Sequence, residues 1–172
     1  MTRTHIWFAA FAGVVIAANF LTDTLGLVTL LGLTATAGTW VAGFGFVVRD
    51  ELHEVAGRHT VAAAILTGAA LSAVLSPQLA VASATAFLVS ESADWAIYAP
   101  MRQRNRMAAA LLSNTVGALI DTALFLLIAG FPLDGAPTQV VVKVGTTALV
   151  LLGVRLVVSR QSLHTRGGGR DA

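Results

Sequence analysis

Four polar side chains fall at helical spacings inside two apolar stretches. Glu91 and Asp94 lie three residues apart, and Asn114 and Asp121 lie seven apart. Residues three or four apart share a helix face, and seven residues return to it after two turns. An ionisable side chain within an apolar span costs roughly 2.5–3.5 kcal/mol on insertion scales, so each one needs a partner or a task. The chemistry this set offers is acceptance, because carboxylates and amide oxygens take N–H donors in pairs. Trp40, Phe44, Phe87 and Trp95 can supply flat apolar walls, and Asn19 a further amide. The expected ligand is a small planar heterocycle rich in N–H groups. Proton relay by one buried carboxylate is the alternative use, and the two are compatible.

Other polar residues need placing beside these. Gly117 lies on the stripe between Asn114 and Asp121, where a glycine admits either a neighbouring helix or a flat ligand. Lys143 either snorkels to the membrane surface or pairs with Asp121. Asp50 and Glu54 share a helix face and Arg49 and His53 the adjacent one. They read as solvated residues or as a gate, so Asp50, Glu54 and Lys143 are the gating or coupling candidates. His53, Glu54 and His59 match no established metal-ligand spacing. No catalytic residue, metal or cofactor is expected. Phe46 to Asp50 and Phe87 to Glu91 each place a carboxylate four residues after a Phe, either a faint internal repeat or a coincidence between apolar helices. Ala9, Gly13 and Ala17 form a small-residue stripe suited to close helix packing.

The elements that must carry these residues are membrane helices. Of 172 residues 56% are hydrophobic and 12% charged, against roughly 25% charged in a soluble domain. With no cysteine there is no disulfide, thiolate site or thiol nucleophile. A span needs about 20 apolar residues, and six fit, at 6–21, 34–48, 60–75, 79–98, 107–130 and 138–158. The apolar segment 25–33 is too short to cross alone and is expected either to lengthen the second helix or to lie at the interface. In this arrangement Arg3, Arg49, Arg58, Arg102, Arg104, Arg106, Arg160, Arg166 and Arg170 all fall on one side. Positive residues are retained in the cytoplasm, so both termini are placed there. The expected fold is an all-α membrane protein, a bundle of six transmembrane helices with short loops. It forms one domain, 1–158, in the inner (cytoplasmic) membrane, with a basic, disordered tail at 159–172. A competing reading makes the first apolar stretch a cleaved signal peptide. The arginines are explained by topology, so no nucleic-acid partner is expected.

Several of these positions form an ordered series. Ala37-Gly38-Thr39 precedes Asp50, Glu54 and Gly57; then come Ser90-Glu91, Asp94 and Tyr98; then Ser113-Asn114, Gly117, Asp121-Thr122 and Phe125. The series resembles the motifs of the vitamin uptake transporter family, whose best-known members are queuosine-precursor transporters. The resemblance implies a six-helix inner-membrane importer of 7-deazaguanines such as 7-cyano-7-deazaguanine and its aminomethyl form. It points to Glu91, Asp94, Asn114 and Asp121 as pocket residues, and to Asp50 and Glu54 as motif positions. Trp40 and Asn19 join the substrate-binding set on the chemistry above. The chain is short for that family, with trimmed loops.

The alternative reading is a substrate-binding subunit that docks an energising module, as in energy-coupling-factor vitamin importers. The Ala9-Gly13-Ala17 stripe would then be a docking face. A homo-oligomer is also compatible. An intramembrane enzyme would need a nucleotide loop, a paired-His zinc motif or a nucleophile elbow, and the chain has none. A purely structural membrane protein would need fewer clustered carboxylates and amides than this.

Overall fold

The computed structural model describes the backbone of residues 2–101 and 103–167. The side chains of residues 106, 107, 110, 111, 114, 151 and 154–167 lie outside that description. In chain order the elements are α1 (Arg3–Leu25), β1 (Leu27–Leu30), β2 (Leu33–Thr36), α2 (Ala37–Ser72), α3 (Pro77–Met101), α4 (Arg106–Ala129), a short 3-10 turn (Leu133–Gly135) and α5 (Ala136–Gly167).

The helix boundaries follow local chemistry. α3 begins at Pro77, where the missing N–H would be unpaired in any case. The Asn105 side chain caps α4 by accepting from the Ala108 N–H at 3.0 Å, and Gly130 ends the helix in the left-handed conformation. α2 stays helical through the expected loop at 49–59 except at Gly57, with φ 76° and ψ 173°, where the chain bends between two helical halves. That region is essentially reserved for glycine. The loop expected between the second and third spans is therefore a single-residue break. α5 extends past Val158 to Gly167, while residues 168–172 of the expected tail lie outside the described residues.

The segment 25–33 neither lengthens a helix nor stays single. Gly26, at φ 62°, stops α1, and the chain forms an antiparallel hairpin with Leu27 opposite Thr36 and Leu30 opposite Leu33. Its two turn residues, Leu31 and Gly32, both have positive φ, 54° and 77°. That is the requirement of a two-residue turn whose twist matches paired strands. Strand pairing satisfies the backbone here, so this short apolar stretch does not lengthen the second helix.

α1 packs along α2, α3 along α4, and α5 crosses the first half of α2. Small residues set the close approaches. A Cβ on Gly43 would meet the Lys143 carbonyl oxygen at 2.7 Å, and one on Gly68 would meet the Val15 Cβ at 2.9 Å. A core of Phe11, Val15, Val48, Leu52, Val61, Ile65 and Phe87 joins α1, both halves of α2 and α3.

The surface is apolar where a soluble protein would be polar. Leu66, Leu71, Val81, Leu119, Leu127 and Leu149 are exposed, while Asn19, Asp121, Gln139 and Lys143 are each at most 4% exposed. Buried polar groups behind an apolar exterior suit a hydrocarbon solvent. Among the described residues, α1 is the one helix that alone is long and apolar enough to cross a membrane; residues 115–129 form a shorter apolar stretch.

Candidate functional site

Five segments converge on a polar cavity. α1 brings Asn19 and Thr22, β2 and the start of α2 bring Thr36 and Thr39, α3 brings Ser83 and Phe87, α4 Asp121 and Phe125, and α5 Lys143. The hairpin seats the start of α2 against α1: the Ala37 N–H donates to the Gly26 carbonyl at 2.9 Å, and the Gly38 N–H to the Thr22 hydroxyl at 3.0 Å. A Cβ at Gly38 would overlap the Ala18 carbonyl, so this approach requires glycine.

Lys143 does not snorkel. Its Nζ turns inward, donating to Asp121 Oδ2 and, at 3.1 Å, to the Thr122 hydroxyl. One turn earlier on α5, Gln139 Oε1 accepts from the Thr39 hydroxyl at 2.7 Å, with the Thr36 hydroxyl 2.7 Å from that of Thr39. Asn19 Nδ2 donates to the Ser72 hydroxyl at 2.8 Å, which ties α1 to the end of α2. Buried polar groups are tolerable only when paired, and these are. The cavity measures about 40 Å³, room for about three or four waters at about 10–15 Å³ each. A small-molecule pocket occupies about 300–1,000 Å³, so a heterocycle requires the cavity to widen.

Glu91 is not part of this cavity. It sits in a second cluster, where Arg49 Nη1 donates to Glu91 Oε2 at 2.7 Å and Arg49 Nη2 to Asp50 Oδ1 at 2.7 Å. His53 Nδ1 stands 3.6 Å from the other Glu91 oxygen, and the Arg49 guanidinium lies 5.4 Å from the Phe46 ring centroid. The two Phe-to-carboxylate segments noted in the sequence meet here, with Phe46 and Phe87 at 5.9 Å and Asp50 and Glu91 sharing Arg49. Phe87 also packs edge-on against Phe11 at 5.8 Å, and it lines the polar cavity. Aromatic rings thus stand between the cavity and the Arg49 cluster.

The remaining expected residues are dispersed. Asp94 faces Gly117 across the α3–α4 contact, where a Cβ on Gly117 would lie 3.8 Å from the Asp94 Cβ; Gly117 therefore admits a helix. Asp94 Oδ1 and Trp40 Nε1 are buried with no hydrogen-bond partner among the described residues. Asn114 is on α4, and its side chain lies outside the described residues. Glu54 is exposed. Phe44 faces outward at 46% exposure and Trp95 at 48%, so the four expected aromatic walls do not enclose one pocket. Among the described residues no three His, Asp or Glu side chains converge as a metal site.

Gln139, Thr36, Thr39, Thr122, Ser83 and Arg49 were not among the expected site residues. The signal was present for some of them: Thr39 and Thr122 stood in the motif series, and Arg49 lay beside the gating candidate Asp50. Gln139 gave none, because one amide near a helix end reads as solvated.

No curated protein and no solved structure matches the chain. The family model described as "Putative vitamin uptake transporter" matches residues 72–159, just over half the chain, covering α3, α4 and most of α5 with Glu91, Asp121 and Lys143. On that match the chain belongs to the vitamin uptake transporter family, a family of membrane proteins for small-molecule uptake.

Proposed function

We propose that the chain imports a small planar solute across the inner membrane, of the 7-deazaguanine class represented by 7-cyano-7-deazaguanine and its aminomethyl form. The observation that carries this reading is the buried Lys143–Asp121 pair in the wall of a polar cavity where five segments meet. A charge pair at membrane depth beside a cavity is the arrangement expected of a solute path. Counting α2 as two helices either side of Gly57 gives six helical segments, in keeping with a six-span domain over 1–158 and both termini cytoplasmic.

In this reading Asp121 and Asn19 accept and orient the solute. Lys143 holds Asp121 between passages and releases it when the solute's N–H groups replace the ammonium. Asp94, Asn114 and Trp40 line the path once it widens. Glu91 and Asp50, joined through Arg49, tie α2 to α3 on the arginine-rich side and act with Glu54 as the inner gate. The aromatic layer of Phe87, Phe11 and Phe46 is the barrier that must part. The transport role leaves no step for catalysis.

The test is binding of both 7-deazaguanines to purified, detergent-solubilised protein, with guanine and a flavin as competitors. The expected result is saturable binding that the flavin leaves unchanged. Silence toward every purine would remove the substrate assignment.

One observation favours a second reading, docking to an energising module. Ala9 and Gly13 are exposed along α1, with open space where a Gly13 side chain would stand. Solute uptake by liposomes containing this chain alone would exclude it.

A further inference from the structure

A separate groove of about 440 Å³ runs between the second half of α2 and α3. Its lining is graded. At one end Arg58 and His59 on α2 meet Ser92 and Trp95 on α3, all four exposed. At the other, fully buried Ile65 faces Leu88. On each helix the polar and apolar ends are seven residues apart, about 10 Å at a rise of about 1.5 Å per residue. Because the helices run in opposite directions, their polar ends coincide and so do their apolar ends. The groove is therefore amphiphilic along its length, with a cationic head and a hydrocarbon floor.

The charge at the head is available. Among the described residues no ion pair includes Arg58. Its guanidinium stacks 4.5 Å from the Trp95 ring centroid, which holds the plane while leaving the N–H edge free for a two-point bond to a phosphate. Glu91, the one carboxylate in the lining, already receives Arg49 at 2.7 Å, so the groove is not acidic. A free phosphate would leave the apolar floor empty, and a neutral lipid would leave Arg58 uncompensated. We propose that this groove holds an anionic phospholipid, its phosphate on Arg58 and His59 and its acyl chain along Ala62 and Leu88, above the buried Ile65. The inference rests on the membrane reading above. It places the head group on the arginine-rich side, where anionic lipid is concentrated, and the bound lipid against the Glu91 helix face.

Native mass spectrometry of the purified full chain tests this, comparing phosphatidylglycerol with phosphatidylcholine of the same acyl chains and with glycerol 3-phosphate. Phosphatidylglycerol is expected to bind saturably and to outcompete phosphatidylcholine. Arg58→Gln is expected to remove that preference, weakening phosphatidylglycerol about tenfold, the loss of one charge-assisted contact. Ser92→Trp, which keeps the charge and fills the groove, is expected to weaken both lipids. Equal binding of the two lipids, an unaltered preference in Arg58→Gln, or displacement by glycerol 3-phosphate alone would overturn the proposal. Deazaguanine binding measured on the same preparation separates the two readings: its absence beside a retained phosphatidylglycerol preference removes the solute assignment and leaves the lipid site standing.

Discussion

Lys143 on α5 donates to the Asp121 carboxylate on α4, and each residue is 4% exposed. Both charges are shielded from bulk solvent, so among the described residues each compensates the other, with the Thr122 hydroxyl as a further partner of Lys143. The pair therefore fixes α4 against α5 at the cavity wall. It is also the contact that a solute bearing N–H groups would have to enter.

Removing one partner should cost more than removing both. Asp121→Asn or Lys143→Met each leaves the partner's charge uncompensated and is expected to destabilise by about 3–5 kcal/mol, whereas the double substitution is expected to be close to neutral. Thermal unfolding of the three variants in detergent measures this. A double variant as unstable as the sum of the singles would mean the two side chains act independently.

The Arg49–Glu91 contact at 2.7 Å ties α2 to α3. Glu91→Gln is expected to abolish uptake while the protein stays in the membrane, and the exchange Arg49→Glu with Glu91→Arg to recover part of it. Uptake at the native rate in Glu91→Gln would remove the gate assignment.

Gly57 is held at φ 76° and ψ 173° with open space around it. Gly57→Ala therefore meets no neighbour, and its cost is purely conformational, about 1–3 kcal/mol. Lower thermal stability with unchanged membrane insertion is the expected outcome. An unaffected midpoint would show that the break tolerates a side chain.

At Gly43 the cost is steric. A methyl group there would press on the Lys143 carbonyl and the Thr146 side chain, forcing α2 away from α5, for about 1–3 kcal/mol. Because the same displacement moves Lys143, Gly43→Ala is expected to weaken solute binding as well as stability. A loss of stability with undiminished binding would separate the helix contact from the cavity.

The helical class and most of the helix positions were legible because long apolar runs permit few alternatives. α4 begins and ends within one residue of the apolar run 107–130. The hairpin was not, since Leu27 to Leu30 is as apolar as a helix and only the positive φ at Leu31 and Gly32 diverts it. The site was half legible. Asp121 and Lys143 announced themselves as charges in apolar helices that lacked any other partner. Glu91 did so equally, but sequence spacing relates residues within one helix only. It could not show that Arg49, across a helix contact, would claim Glu91 and keep it out of the cavity. Thr36, Thr39 and Gln139 form a network between residues about a hundred positions apart, which no local pattern records.

The most direct test is uptake of 7-cyano-7-deazaguanine into liposomes containing only this chain, wild type beside Asp121→Asn. Saturable uptake by the wild type and none by the variant is the expected result at equal reconstitution. Equal uptake by both would contradict the role given to the Lys143–Asp121 pair.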